Sequence, residues 1–203
     1  VPILKNRGVT LMHKCTTSRH ALAAAEAGAD MVAVVGYEGG GAVGRSYIAS
    51  SVLTPRTVDT VNVPVLAAGG IADGRGLVAA LSWGAEGVVI GTRFMATQEC
   101  WAHPAFKEAL LRAQESDTII LERNINNDHR MLHTETAQKV WELEEKGAGL
   151  QELMPYIGGQ NARRLFETGD LNAGVVSCGQ AVGLIHDLPT VKEVVDRIIA
   201  EAE

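Results

Sequence analysis

An α/β fold built on a parallel sheet is the class this sequence predicts, and three observations carry it. Apolar runs without polar alternation recur: GVTLMHK at Gly8–Lys14, DMVAVVG at Asp30–Gly36, VPVLAAGG at Val63–Gly70 and GVVIGTRF at Gly87–Phe94. Runs of that kind are strands buried on both faces, which parallel sheets require. Helix-compatible segments of about ten residues separate them, as in successive βαβ units. The 22 glycines, against three each of Trp, Tyr and Phe, go with tight turns around an aliphatic core.

Each element follows in order. After the first run, Thr16, Thr17 and Ser18 offer helix caps, and the alanine-rich Arg19–Ala27 reads as a helix stopped by Gly28. The second run leads into the glycine-rich Gly36–Gly44, and a helix is expected near Thr54–Val61. Asp73 opens a helix to about Trp83 after the third run, and Pro104–Ser116 follows the fourth. Beyond Asp117 no further strands are expected. Thr134–Lys146, Leu150–Gly169 and Lys192–Ala202 read as amphipathic helices around a small-residue segment, Asp170–Leu184. The expected division is therefore 1–116, four βα units, and 117–203, a helical domain. A closed eight-stranded βα barrel takes roughly 250 residues, so the chain reads as the C-terminal portion of a longer protein whose barrel is half present.

Charge and composition exclude several classes. With 18 basic and 24 acidic residues the net charge is −6, which argues against a nucleic-acid or acidic-membrane partner. No apolar stretch reaches the roughly 18–20 residues of a spanning helix. The three cysteines, Cys15, Cys100 and Cys178, are far apart and form no CxxC. Structural disulfides and zinc are disfavoured, and a cytoplasmic location is expected. The six histidines show no metal-ligand spacing, so no metal is expected, and His129 and His133 read as surface residues.

The chemistry should collect at the carboxyl ends of the strands. In AAGGIADGR, Ala67–Arg75, two glycines end a strand and a helix follows. Backbone N–H groups and a helix N-terminus there suit a phosphate. Gly91 and Thr92 end the next strand with backbone and a hydroxyl. Paired strand-end loops of this kind form barrel phosphate sites, although the same glycines also suffice for tight turns. Lys14 closes the first strand, where it can face a phosphate or a reduced flavin or simply be solvated. His13 and Cys15 alternate with it and should point into packing. Glu38 is a weak candidate base, beside its plainer reading as a solvated glutamate.

Taken together, HKC at His13–Cys15, RHALAAAEAGAD, Glu38–Gly41, AAGGIADGRGLVAAL, GTRFMAT and GDLNAGVVSCGQAVGLIHDLPT resemble the nitronate monooxygenase (2-nitropropane dioxygenase) family of FMN-dependent TIM-barrel enzymes. Against that family the chain matches the last four βα units and the helical domain. The resemblance implies FMN contacts at Lys14, Val35, Gly40, Ala68, Gly69, Gly70, Gly91 and Thr92. Val35 stands where some relatives carry aspartate, so its contact would run through backbone. The family loop E-[AC]-[AG]-G-H-x-G holds its catalytic histidine where this chain has Ala42.

The resemblance therefore implies FMN-dependent oxidation of an alkyl nitronate by dioxygen to a carbonyl compound and nitrite. A nitronate is already an anion and needs no base. The alternatives are an NAD(P)H-dependent FMN reductase of quinones or enoyl thioesters, a non-redox barrel for a phosphorylated metabolite, and an inactive truncated barrel. The implied partners are a small molecule (nitronate or quinone) with dioxygen or NAD(P)H, and the oligomeric state, a homo-oligomer included, is left open.

Overall fold

Met31–Val35, five consecutive apolar residues, form β2, and all but the first are buried. β1 (Met12–Cys15) and β4 (Val65–Ala68) flank it in parallel, and β5 (Gly87–Val89) joins β4, giving the order β1-β2-β4-β5. This is the parallel α/β sheet that the apolar runs predicted. The computed structural model describes residues 1–203, the side chain of Pro2 excepted. The chain forms two compact units: residues 1–38, 43–90 and 197–203 make one, and 39–42 and 91–196 the other.

In the first unit, a short α1 (Pro2–Lys5) precedes β1. α2 (Ser18–Glu26) starts at Thr17, whose side chain accepts from the His20 N–H at 3.2 Å. α3 spans Ser50–Val58 and α4 spans Gly74–Ser82, the latter capped by Asp73, which accepts from the Gly76 N–H at 3.3 Å. The register is Lys14↔Ala33, Cys15↔Val34 and Val35↔Ala68. One face of the sheet, with Cys15, Val32, Val34 and Val65, packs with Ala21 and Leu53 from the helices. Lys14, Val35 and Ala68 alternate with these residues and share the other face. His13 is exposed, contrary to expectation, because β1 is an edge strand.

α3 begins four residues before its expected start because the cap lies outside the local sequence. The Glu38 carboxylate accepts from the Ser50 N–H at 3.0 and 3.2 Å. The fourth apolar run also departs from expectation. Only Gly87–Val89 is strand, and α5 (Thr92–Met95) follows at once.

The second unit holds strands where none were expected. β6 (Thr118–Leu121) and β7 (His129–Leu132) form an antiparallel pair, and β3 (Gly41–Ala42), from the glycine loop, adds to β7. Periodicity missed β7 because a charged residue, Arg130, is buried in it. Its guanidinium donates to Thr118 Oγ1 at 2.8 Å. The unit's helices are α6 (Pro104–Arg112), α7 (Glu135–Glu145), α8 (Leu150–Ile157) and α9 (Gly159–Thr168), and α10 (Val191–Ala200) starts in this unit and ends in the first. Leu121, Met131, Val140 and Leu153 from the sheet and helices pack into one apolar cluster. Among the described residues no helix is long and apolar enough to cross a membrane.

Arg93, 6% exposed, ties α5 to the segment before α10. Its guanidinium donates to the Asp187 carboxylate at 3.0 Å and the Asp187 carbonyl at 2.7 Å, and also to the Ala96 carbonyl. Arg93→Met would strand these acceptors. It should lower stability by about 1–3 kcal/mol, the cost of buried groups left without partners. Urea unfolding, with the midpoint moving at constant slope, checks this.

Candidate active site

The carboxyl ends of β1, β2 and β4 stand side by side, so register alone groups Lys14, Val35 and Ala68. Val35 and Ala68 are buried, and the Gly36 N–H donates to the Ala68 carbonyl at 2.9 Å. The Lys14 side chain as a whole is open to solvent, but packing around its stem removes enough water to lower its pKa. A cation of that kind is suited to an anionic ligand. Cys15 lies in the core, and burial raises its thiol pKa, so it offers no nucleophile.

Two side chains, Ser50 and Glu38, hold the turn after β4. Gly69 and Gly70 have φ of 93° and 76°, a region that strains other residues. Ser50 Oγ, buried at the head of α3, hydrogen-bonds the carbonyls of Ala68 and Gly69, each at 3.1 Å. A Cβ on Gly70 would lie 2.9 Å from Glu38 Cγ. Glu38 is therefore neither a solvated side chain nor placed as a base: its carboxylate caps α3 and packs on the turn.

The N-terminus of α4 is already occupied. Its Gly74 N–H donates to the Glu201 carboxylate at 2.8 Å, and its Gly76 N–H to Asp73. The expectation that this helix end serves a phosphate is corrected accordingly, and the glycine turn remains as the part of that segment suited to one. Ser50 and Glu201 went unnoticed in the sequence, since 127 residues separate Glu201 from Gly74.

In the second unit, Gly40 lies so close to the backbone of Cys178 and Gly179 that a Cβ would come within 2.7 Å of the Gly179 nitrogen. The Gly179 N–H in turn donates to Thr92 Oγ1 at 3.0 Å. The segment Ser177–Gly179 thus braces both the glycine loop and α5. The Thr92 hydroxyl, accepting there, keeps its own proton to donate. A Cβ at Gly91 would meet nothing within 4 Å, so the backbone there is open to approach. Ala42 sits in β3 opposite His129 of β7. Burial pushes the Cys178 thiol up to about 12.

Taken unit by unit, the glycine turn and the strand-end lysine of the first, and the open backbone at Gly91 with the Thr92 hydroxyl of the second, each have chemistry suited to a flavin phosphate. Two surface grooves, of about 550 and 540 Å³, are lined by residues such as His133 and Lys139, or Trp101 and Phe166. They include none of the predicted site residues.

A family model described as nitronate monooxygenase matches residues 1–201. The chain belongs to the nitronate monooxygenase family. One relative, an octahydroindene-carboxyl-CoA dehydrogenase of Rhodococcus jostii, is 34% identical over 98% of this chain and 66% of its own length. Among solved structures, FabK from Thermotoga maritima superposes with a TM-score of 0.91 and 35% identity, covering 100% of this chain and 63% of that one. A nitroalkane oxidase from Streptomyces ansochromogenes gives a TM-score of 0.80 at 26% identity, over 98% of this chain and 59% of that one. The chain thus spans about two thirds or less of the length of these relatives. Its relatives in the nitronate monooxygenase family are oxidoreductases, and family members depend on flavin.

Two glycines of this family member separate packing from ligand contact. Gly40→Ala should destabilise the fold, because the backbone of Gly179 leaves no room. Gly91→Ala should leave the melting temperature unchanged and weaken flavin binding, since its Cβ would enter open space. Thermal melts paired with flavin titration check both.

Proposed function

We propose that this chain forms part of an FMN-dependent oxidoreductase that oxidises alkyl nitronates with dioxygen, giving a carbonyl compound and nitrite. The observation that carries it is the strand-end arrangement of Lys14, Val35 and Ala68 beside the clamped Gly69–Gly70 turn. The contacts that the family likeness assigns to FMN are Lys14, Val35, Gly40, Ala68, Gly69, Gly70, Gly91 and Thr92. FMN bound there would supply the redox chemistry, taking up electrons from the substrate.

The chain's own groups would bind and orient. The glycine turn would hold the phosphate through backbone that approaches closely, and the Thr92 hydroxyl, with its proton still to donate, has the chemistry for the same role. The ammonium of Lys14 attracts the nitronate, whose negative charge rests on its two nitro oxygens. Ala42 cannot accept a proton, and an anionic substrate asks none of it.

A second reading follows from the R. jostii relative, a carboxyl-CoA dehydrogenase by name, and from FabK. It is nicotinamide-dependent flavin chemistry on a thioester. Ethyl nitronate in air, with nitrite and oxygen consumption followed together, separates the two. Nitrite formed with matching oxygen uptake supports the first reading. No nitrite, with NAD(P)H consumed only when an enoyl thioester is present, supports the second.

Lys14 adds a pH test. Its pKa lies below the ordinary lysine value through loss of hydration, so its charge fades as pH rises through that lowered pKa. Nitronate kcat/KM should fall on the same alkaline limb. Lys14→Arg should move the limb upward, since guanidinium stays charged. A limb that does not move would remove Lys14 from substrate binding.

A further inference from the structure

We propose that the turn joining β6 to β7 is a proton-operated latch. One proton, held by the buried pair Glu122 and Glu144, keeps the turn closed on α7. Its loss frees the turn together with β3, the glycine-loop strand that pairs with β7.

The backbone of the turn does not hold its shape by itself. Glu122 and Asn126 have φ of 66° and 60°, a left-handed conformation that costs a non-glycine residue energy. Side chains supply the restraint. The Asn124 N–H donates to the Glu144 carboxylate at 3.2 Å. The Asn124 side-chain amide donates to the Glu144 and Ala148 carbonyls at 2.7 and 3.3 Å. Within the turn, Glu122 accepts from the Asn127 side-chain amide at 2.5 Å. Two carboxylates, one in the turn and one on the helix, thus carry the fastening.

At those carboxylates the fastening is incomplete. Glu122 is 6% exposed and Glu144 4%. Glu144 Oε2 is buried with no hydrogen-bond partner, which is costly for a carboxylate oxygen. Among the described residues no three His, Cys, Asp or Glu side chains are arranged to hold a metal ion. A proton is the charge that fits. Shared by the pair, it removes one of two like charges and supplies a donor where acceptors stand alone.

The other charges nearby are engaged elsewhere or oppose the proton. Arg123 pairs with Glu145 at 3.0 Å and lies 6.0 Å from the centre of the Trp141 ring. Arg130 donates to Thr118, and Asp128 is buried just ahead of β7. His129 Nδ1 stands 3.4 Å from Glu122 Oε2 and 2.6 Å from the Asn127 carbonyl. Burial pushes the Glu122 carboxyl up against the pull of His129 and the Asn127 amide, and the charge of Glu144 adds to the rise.

β7 carries the state of the latch to the glycine loop. The strand starts at His129, directly after the turn, where His129 pairs with Ala42 and Arg130 with Gly41. A turn that opens frays β7 from the end at which both of these pairs lie.

The sign follows from the proton count. The closed turn binds one proton more than the open turn, in which both carboxylates are hydrated. Opening should be independent of pH below about 4.3, the ordinary glutamate value, and rise about tenfold per pH unit above it. It should level off past the raised pKa of the closed state.

The test is hydrogen exchange on the full chain between about pH 5 and about pH 8, corrected for the intrinsic exchange rate at each pH. It is read on peptides that contain residues 118–132 and 39–42, and needs no flavin, so its outcome is independent of the functional reading above. In the parent chain, protection in both peptides should fall about tenfold per pH unit before levelling off. Glu122→Gln keeps the shape of a protonated carboxyl and should abolish the fall while leaving protection at the acid end unchanged. Glu144→Gln should do the same, and decides the matter if Glu122→Gln does not fold. His129→Gln removes the charge that opposes the proton, so the fall should extend to higher pH. Constant protection in one or both peptides of the parent chain overturns the proposal. So does a fall that His129→Gln abolishes and the glutamine variants of the pair leave intact, because the titrating group is then the histidine.

Discussion

One clamp sets the geometry on which the first unit's candidate site depends. Ser50 joins the head of α3 to the end of β4 through the carbonyls of Ala68 and Gly69, and Glu38 joins the end of β2 to the same helix through the Ser50 N–H. Three elements of the first unit, β2, α3 and β4, thus converge on one serine. Its hydroxyl is buried, where an unpaired partner would be costly, so the Gly69–Gly70 turn has little freedom to drift. The parallel register then carries that placement sideways to Val35 and Lys14.

The second unit solves a similar problem with backbone. Gly179 reaches Thr92 with its N–H and crowds Gly40 with its nitrogen. The small-residue segment that precedes it packs closely for this reason, and larger side chains would push the glycine loop out of register with β7. Ala42 and His129 face one another only because that register holds.

Much of this was legible in the sequence. The unbroken apolar character of β2 and β4 announced a doubly buried parallel sheet, and Thr17 and Asp73 announced the starts of their helices. The glycine pairs marked the turns that matter. What stayed hidden was non-local. Glu38 caps a helix twelve residues away, and Glu201 occupies a helix end 127 residues away. No local pattern encodes either. β7 escaped because a buried, hydrogen-bonded Arg130 interrupts its apolar character.

The central claim is that the glycine turn and its neighbours anchor a flavin through its phosphate. Parallel titrations of the chain with FMN and with riboflavin, which differ only in that phosphate, test it most directly. The account predicts that FMN binds at least about tenfold tighter, the effect of one charge-assisted hydrogen bond to a charged group. Equal affinities for FMN and riboflavin would contradict it.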